Sequence, residues 1–235
     1  MMSIMIGKMK ALAFGAFVTL WEGLGVKSLA HLLGVVALLA IPIQAGLIVD
    51  NGSPNNTSGN EMTQWIQAED FVLGGATNIQ GVRFWGFSLG APGYLGSIVW
   101  QIRADAAGSP GGVLFTGTAV LAPVNEGPLA FTGHDQLRFD FNTGGAALAA
   151  GTYWLALHNG PLSTTVRDEF YWQTRANNAT LRGMEDQAPF DGVFASNGAE
   201  HAFQLFDTPV GVPEPGSLTL IGSGLLALVF LVRRK

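Results

Sequence analysis

Between Gly46 and Gly211 the sequence predicts an antiparallel β-sandwich of jelly-roll type, and three observations predict it. Apolar and polar residues alternate with a period of two over several runs, which is the signature of half-buried strands. Clusters of glycine, proline and asparagine separate those runs at roughly 10 to 25 residues. No stretch keeps a helical period, and no internal repeat points to a propeller or solenoid.

The runs can be taken in order. TNIQGVRFWGFS (77–88) is broadly apolar, as is GVLFTGTAVLA (112–122). In SIVWQIRA, Ile98, Trp100 and Ile102 alternate with Val99, Gln101 and Arg103; in DQLRFDF, Leu137, Phe139 and Phe141 alternate with Gln136, Arg138 and Asp140. TYWLALHN, EFYWQT and EHAFQLFD follow the same rule. On this parity Trp100, Phe139, Phe170 and Trp172 face the core. Trp154 and Tyr171 take the opposite parity, and Tyr94 sits in the loop APGYLGS. An exposed ring offers an apolar face to the CH-rich face of a sugar, so Tyr94, Trp154 and Tyr171 are the candidate glycan contacts, against a second buried face as the plainer role.

Charge and composition narrow the partners. Six arginines against 15 acidic residues give this body a formal charge of −9, and every lysine lies outside it. Nucleic acid and anionic lipid are therefore excluded as partners. There is no cysteine, so an oxidising compartment adds no covalent staples.

Chemistry-bearing patterns are few. Gly86-Phe87-Ser88-Leu89-Gly90 matches the nucleophile elbow, but an elbow needs a helix directly after its serine, and LGAPGYLGS follows Ser88. The pairs Asp168-Glu169 and Glu185-Asp186 are adjacent, so their side chains diverge or share a loop, and neither is marked as a glycosidase pair. His134, His158 and His201 lack metal-ligand spacing and are expected as hydrogen-bonded residues at strand ends. A metal site is not expected; the one candidate cofactor is a structural calcium. DNGSPNNTSGNE would supply Asp50, Asn51, Asn55, Asn56, Asn60 and Glu61, and EDQAPFDG would supply Glu185, Asp186 and Asp191. Such asparagine-rich stretches are more simply turns.

The ends of the chain carry a different message. Ser28 to Ile43 contains an apolar h-region, and Gln44-Ala45 is a cleavage site before Gly46, as in a secretory signal. A further apolar stretch, Ala11 to Trp21, precedes it; initiation at Val26 would leave an ordinary signal peptide with Lys27 as its positive start. At the other end, Leu218 to Val232 would span about 23 Å as a helix. That is short of the roughly 30 Å hydrocarbon core but within reach through modest thinning of the bilayer. A transmembrane helix over 217–232 is expected, with Arg233, Arg234 and Lys235 holding it on the cytoplasmic side. Two prolines keep Val212-Pro213-Glu214-Pro215 extended just outside the membrane. The expected division is an extension and signal helix over 1–45, a β-domain over 46–208 and a tail over 209–235.

The order of Val212-Pro213-Glu214-Pro215, apolar helix and basic terminus resembles the PEP-CTERM sorting signal of exported Gram-negative bacterial proteins, also called the ice-binding protein C-terminal motif. The resemblance implies passage through the secretion translocon and transient anchoring in the inner membrane. It also implies recognition by an exosortase and delivery to the cell surface or extracellular matrix. NEMTQWIQAEDF, GVRFWGF, AAGTYWLALHNGP and AEHAFQLF resemble an uncharacterised β-domain of other PEP-CTERM proteins, which brings no established activity. Ice binding would want a regular threonine array, and none is present. The expected role is thus a non-enzymatic surface or matrix protein with weak exopolysaccharide association. A secreted glycan-active hydrolase on the same scaffold is the alternative.

Overall fold

The computed structural model describes residues 46–91, 93–175 and 182–210, and among these there is no helix. The signal helix and the C-terminal transmembrane helix expected from the sequence lie outside the described residues. The strands are β1 (Leu47–Asp50), β2 (Pro54–Glu61), β3 (Trp65–Leu73), β4 (Thr77–Ser88), β5 (Ser97–Asp105), β6 (Pro110–Val120) and β7 (Val124–Pro128). They continue with β8 (Asp135–Leu148), β9 (Gly151–Asn159), β10 (Phe170–Arg175), β11 (Met184–Gln187), β12 (Ala195–Ser196) and β13 (Phe203–Phe206).

Eight of them form the frame, in two antiparallel sheets ordered β2-β10-β4-β8 and β3-β9-β5-β6. The pairings nest: β2 with β10, β3 with β9, β4 with β8 and β5 with β6, successive pairs alternating between the sheets. A long hairpin wound in this way is the jelly roll, a double-sheet answer to the problem of unpaired edges. The remaining strands extend it: β13 lies beside β4 and carries β1, β7 edges β8, and β11 with β12 extends the sheet beyond β3.

Period-two alternation turns Phe71, Trp100 and Leu155 of one sheet toward Phe84, Phe139 and Trp172 of the other, in one shared apolar cluster. Phe84 stacks on Phe139 at 4.7 Å between centroids and meets Trp172 edge-on at 6.1 Å. Each fully buried side chain of this kind contributes about 1.5–3 kcal/mol relative to exposure. Trp100, Phe139, Phe170 and Trp172 are all in this core, as their parity predicts.

Two segments depart from the sequence reading. The asparagine-rich stretch is not a run of turns: Pro54–Glu61 is strand β2, because its amides and hydroxyls bond to β10. Asn55 Nδ2 donates to Thr174 Oγ1 and to the Arg175 carbonyl. The apolar run GVLFTGTAVLA forms β6 at a sheet edge, with Val113, Leu114 and Val120 exposed.

Candidate functional site

Small apolar clusters cover part of the outward face of each sheet, and Trp154 and Tyr171 lie within them. Trp154 does point away from the inter-sheet core, yet it is only 1% exposed: it packs with Ile66, Ala68 and Ala156 under Met184, Phe190 and Phe194. Its Nε1 donates to Asp105 at 2.9 Å. Tyr171 stacks on Phe87 at 5.1 Å beside Leu129, and its hydroxyl donates to Glu169 while accepting from Arg167. Tyr94 packs edge-on to Phe139 at 4.9 Å and donates to the Leu121 carbonyl. Trp154 and Tyr171 are buried and Tyr94 is partly buried, so the structure places all three rings in packing contacts, the plainer of the two roles weighed for them. Parity gives the side of a sheet; whether that side meets water is decided by loops.

The other sequence candidates are placed as follows. Ser88 ends β4, and an irregular loop follows it in place of a helix. His158 is buried, with ring nitrogens 3.0 Å from the Gly160 carbonyl and 2.8 Å from that of Thr63, whereas His134 is exposed in a loop. Glu61 is committed as a backbone cap: its carboxylate accepts from the amides of Thr63, Gln64 and Asp168. Asp50 caps the Gly52 amide, and Asn51 donates to the His201 carbonyl. Asn51, Asn55, Asp50 and Glu61 of the candidate calcium set are thus engaged in hydrogen bonds to the protein's own backbone and side chains.

His201 belongs to a buried bridge that the sequence reading missed. Glu69, on the inward side of β3, receives the His201 amide on Oε2 at 2.7 Å, and His201 Nδ1 lies 2.9 Å from the same oxygen. Both side chains are fully buried, and the imidazole stacks on Trp172 at 4.6 Å. Burial, with the Glu200 charge adding to it, pushes the Glu69 carboxyl up to about 9; burial pushes His201 down to about 3. The pair is therefore neutral near pH 7 and ties one sheet to the other. It has no route to a substrate and reads as an internal fastening. A signal for it existed: in WIQAEDFVL, Gln67 and Glu69 share the parity of Phe71 and Leu73.

Among the described residues a concave site opens outward at the edge of the β3–β11 sheet. Strand β12 pairs only with Met184 and Glu185, so Asp186 and Gln187 have β3 on one side and no strand on the other. A cleft of about 360 Å³ lies there, between Trp65, Asp186, Pro189, Asp191 and Val193. Asp186 is 2% exposed; its Oδ2 accepts the Gly192 amide at 3.0 Å, while Oδ1 has no hydrogen-bond partner among the described residues. Burial raises the Asp186 carboxyl, the Gly192 amide lowers it, and the neighbouring charge of Asp191 raises it further. Arg103 stands behind the cleft, its guanidinium 4.9 Å over the Phe194 ring.

Residues 211–235 match the family model of the PEP-CTERM protein-sorting motif. The chain carries a PEP-CTERM tail. Such a tail implies exosortase-dependent sorting of an exported protein, made as a membrane-anchored precursor. No curated protein matches the chain. The residues of the tail named above, Val212, Pro213, Glu214, Pro215, Arg233, Arg234 and Lys235, lie outside the described residues, as does Ala45 of the expected signal cleavage site.

The body is tied down up to the start of the PEP-CTERM match. Val210 donates its amide to Asn142 Oδ1 at 2.7 Å, and its methyl groups close over Gly81, where an added Cβ would stand 2.8 Å from them. At the other end the Gly46 carbonyl accepts the Asp207 amide at 3.0 Å. Packing therefore continues two residues beyond Thr208, to the residue before the tail begins.

Proposed function

We propose that the jelly-roll body is a non-enzymatic module of the cell surface or extracellular matrix, cut from its PEP-CTERM tail by an exosortase and held outside by weak association with exopolysaccharide. The match of 211–235 to the sorting motif carries this reading. The body's composition supports it: a strongly acidic domain without cysteine stays soluble without covalent staples. Its carboxylate pairs support a binding role over a hydrolytic one. Glu169 is engaged by Arg167 and Tyr171. Glu185 and Asp186 fall on opposite sides of β11. Cleavage of the signal before Gly46 completes the proposed maturation.

Expression of the full chain in a host that has an exosortase tests the reading. The wild-type body should be recovered without its tail in the polysaccharide fraction, and that polysaccharide should keep its length. Glu214→Ala should leave an uncleaved precursor in the inner membrane, because the apolar run and basic end that drive insertion are unchanged. Normal processing of Glu214→Ala would overturn recognition of the Pro-Glu-Pro segment. Shortening of the polysaccharide would favour the hydrolase alternative.

A further inference from the structure

We propose that removal of the signal creates a fastening beside the sorting tail: the α-ammonium released at Gly46 is received by Asp207 and Thr208, just ahead of the PEP-CTERM match in the sequence. This rests on the proposed cleavage before Gly46. The receiving geometry is already in place. Gly46 donates its amide to Thr208 Oγ1 at 3.2 Å, and its carbonyl accepts the Asp207 amide at 3.0 Å. A Cβ added to Gly46 would stand 2.3 Å from Asp207 Oδ1 and 2.7 Å from Oδ2. The nitrogen is bonded to the same Cα as that Cβ would be, so the carboxylate is a neighbour of the nitrogen as well. A side chain at this position would push the carboxylate away, and glycine lets it approach.

Charge completes the argument. Asp207 is exposed, and among the described residues no cation pairs with its carboxylate. While Gly46 is an internal residue, its nitrogen is a neutral amide whose N–H is already given to Thr208. Hydrolysis of the Ala45–Gly46 bond takes up a water, leaving a carboxylate on Ala45 and an ammonium on Gly46. An ammonium carries a positive charge and three N–H donors, enough for the Thr208 hydroxyl and the Asp207 carboxylate together. The other charged groups of the strands packed here are engaged elsewhere. Asp50, at the far end of β1, caps the Gly52 amide; Arg83 of β4 pairs with Asp140; Glu69 and Asp70 of β3 meet His201 and Arg182. Asp207 is thus the carboxylate left for the new terminus. The pair ties β1 to the end of β13, the last strand before the sorting motif.

The test exploits a feature of the composition. Every lysine lies outside the body, so the α-amine of the processed body is its only primary amine, and an amine-specific succinimidyl ester reads that nitrogen alone. The full chain is expressed in the exosortase host, and the released body is sequenced from its N-terminus and acylated across a range of pH. Wild type should begin at Gly46 and react at pH 7 about threefold more slowly than Asp207→Asn, because the carboxylate favours the unreactive ammonium. The midpoint of its pH profile should lie above the ordinary α-amino range of about 7.7–8.0. It should return to that range in Asp207→Asn, and in wild type at about 1 M salt. Asp50→Asn removes a charge from the other end of β1 and should change neither rate nor midpoint. Near-ultraviolet circular dichroism checks that both variants remain folded. A body that begins at another residue overturns the cleavage site and the fastening with it. A body that begins at Gly46 but titrates alike in wild type and Asp207→Asn leaves the maturation reading standing and overturns the fastening.

Discussion

The space between the two sheets and the layer outside the β3–β9 sheet are both lined with aromatic residues, but they are built on different rules. Between the sheets, Phe84, Phe139 and Trp172 are supplied by strands whose alternation forces them inward; their rings meet within their own sheet and belong to a cluster shared with the other. Outside, Trp154 is covered by Phe190 and Phe194 of an irregular connection between β11 and β12. The first region is over-determined by the ladder; the second depends on one loop folding back. The same loop supplies Pro189, Asp191 and Val193 to the cleft.

The comparison is broken most sharply by deletions in the two layers. Phe84→Ala removes a fully buried ring from the cluster the two sheets share and should cost about 3–5 kcal/mol, read as a large fall in the urea midpoint or as failure to accumulate. Glu69→Ala is next. It strands the His201 amide inside the protein at a cost of about 1–3 kcal/mol, while Glu69→Gln should retain much of the bridge.

The Glu69–His201 bridge also has a pH signature. Folded Glu69 keeps its proton up to about pH 9, but the unfolded chain releases it near 4.5, so the folded state binds more protons in that window and stability falls as pH rises. Folded His201 stays neutral down to about 3, whereas the unfolded chain takes up a proton near 6.5, so its contribution is lost as pH falls below 6.5. The two slopes oppose each other between 4.5 and 6.5. Denaturation midpoints should therefore form a plateau there, declining above and below it, and Glu69→Gln should remove the decline above 6.5.

Smaller effects belong to positions outside the sheets. Phe190→Ala should cost about 1–2 kcal/mol and shift tryptophan emission to the red by wetting Trp154, with the inter-sheet cluster intact. Arg167→Ala breaks an exposed ion pair with Glu169 and should change stability by no more than about 0.5 kcal/mol. A fall as large as that of Phe84→Ala in either variant would erase the distinction between the layers.

What was legible in the sequence follows the same division. Strands β4, β5, β6, β8, β9, β10 and β13 carry a period or an apolar run of their own, and the core aromatics follow from parity. The tail is legible because its Pro-Glu-Pro segment, apolar run and basic end form a short local motif. Strand β2 was hidden, since PNNTSGNE has no apolar side and is held by hydrogen bonds to β10. What covers Trp154 and Tyr171 was hidden too, because Phe190 and Leu129 lie far along the chain. The pairing of β3 with β11 sets Gln187 opposite Trp65 and Asp186 opposite Ile66, a register that no local pattern encodes.

Native-state hydrogen exchange of the processed body tests the division most directly, because it ranks each amide by the free energy of the opening that frees it. Amides of Phe84 in β4, Phe139 in β8 and Leu155 in β9 should exchange only through global unfolding. Those of Phe190 and Gly192, bonded to Gln187 and Asp186 in the outer loop, should exchange through a cheaper local opening that leaves the strands protected. Equal protection of Gly192 and Phe84 would contradict the account, making the loop layer part of one cooperative core.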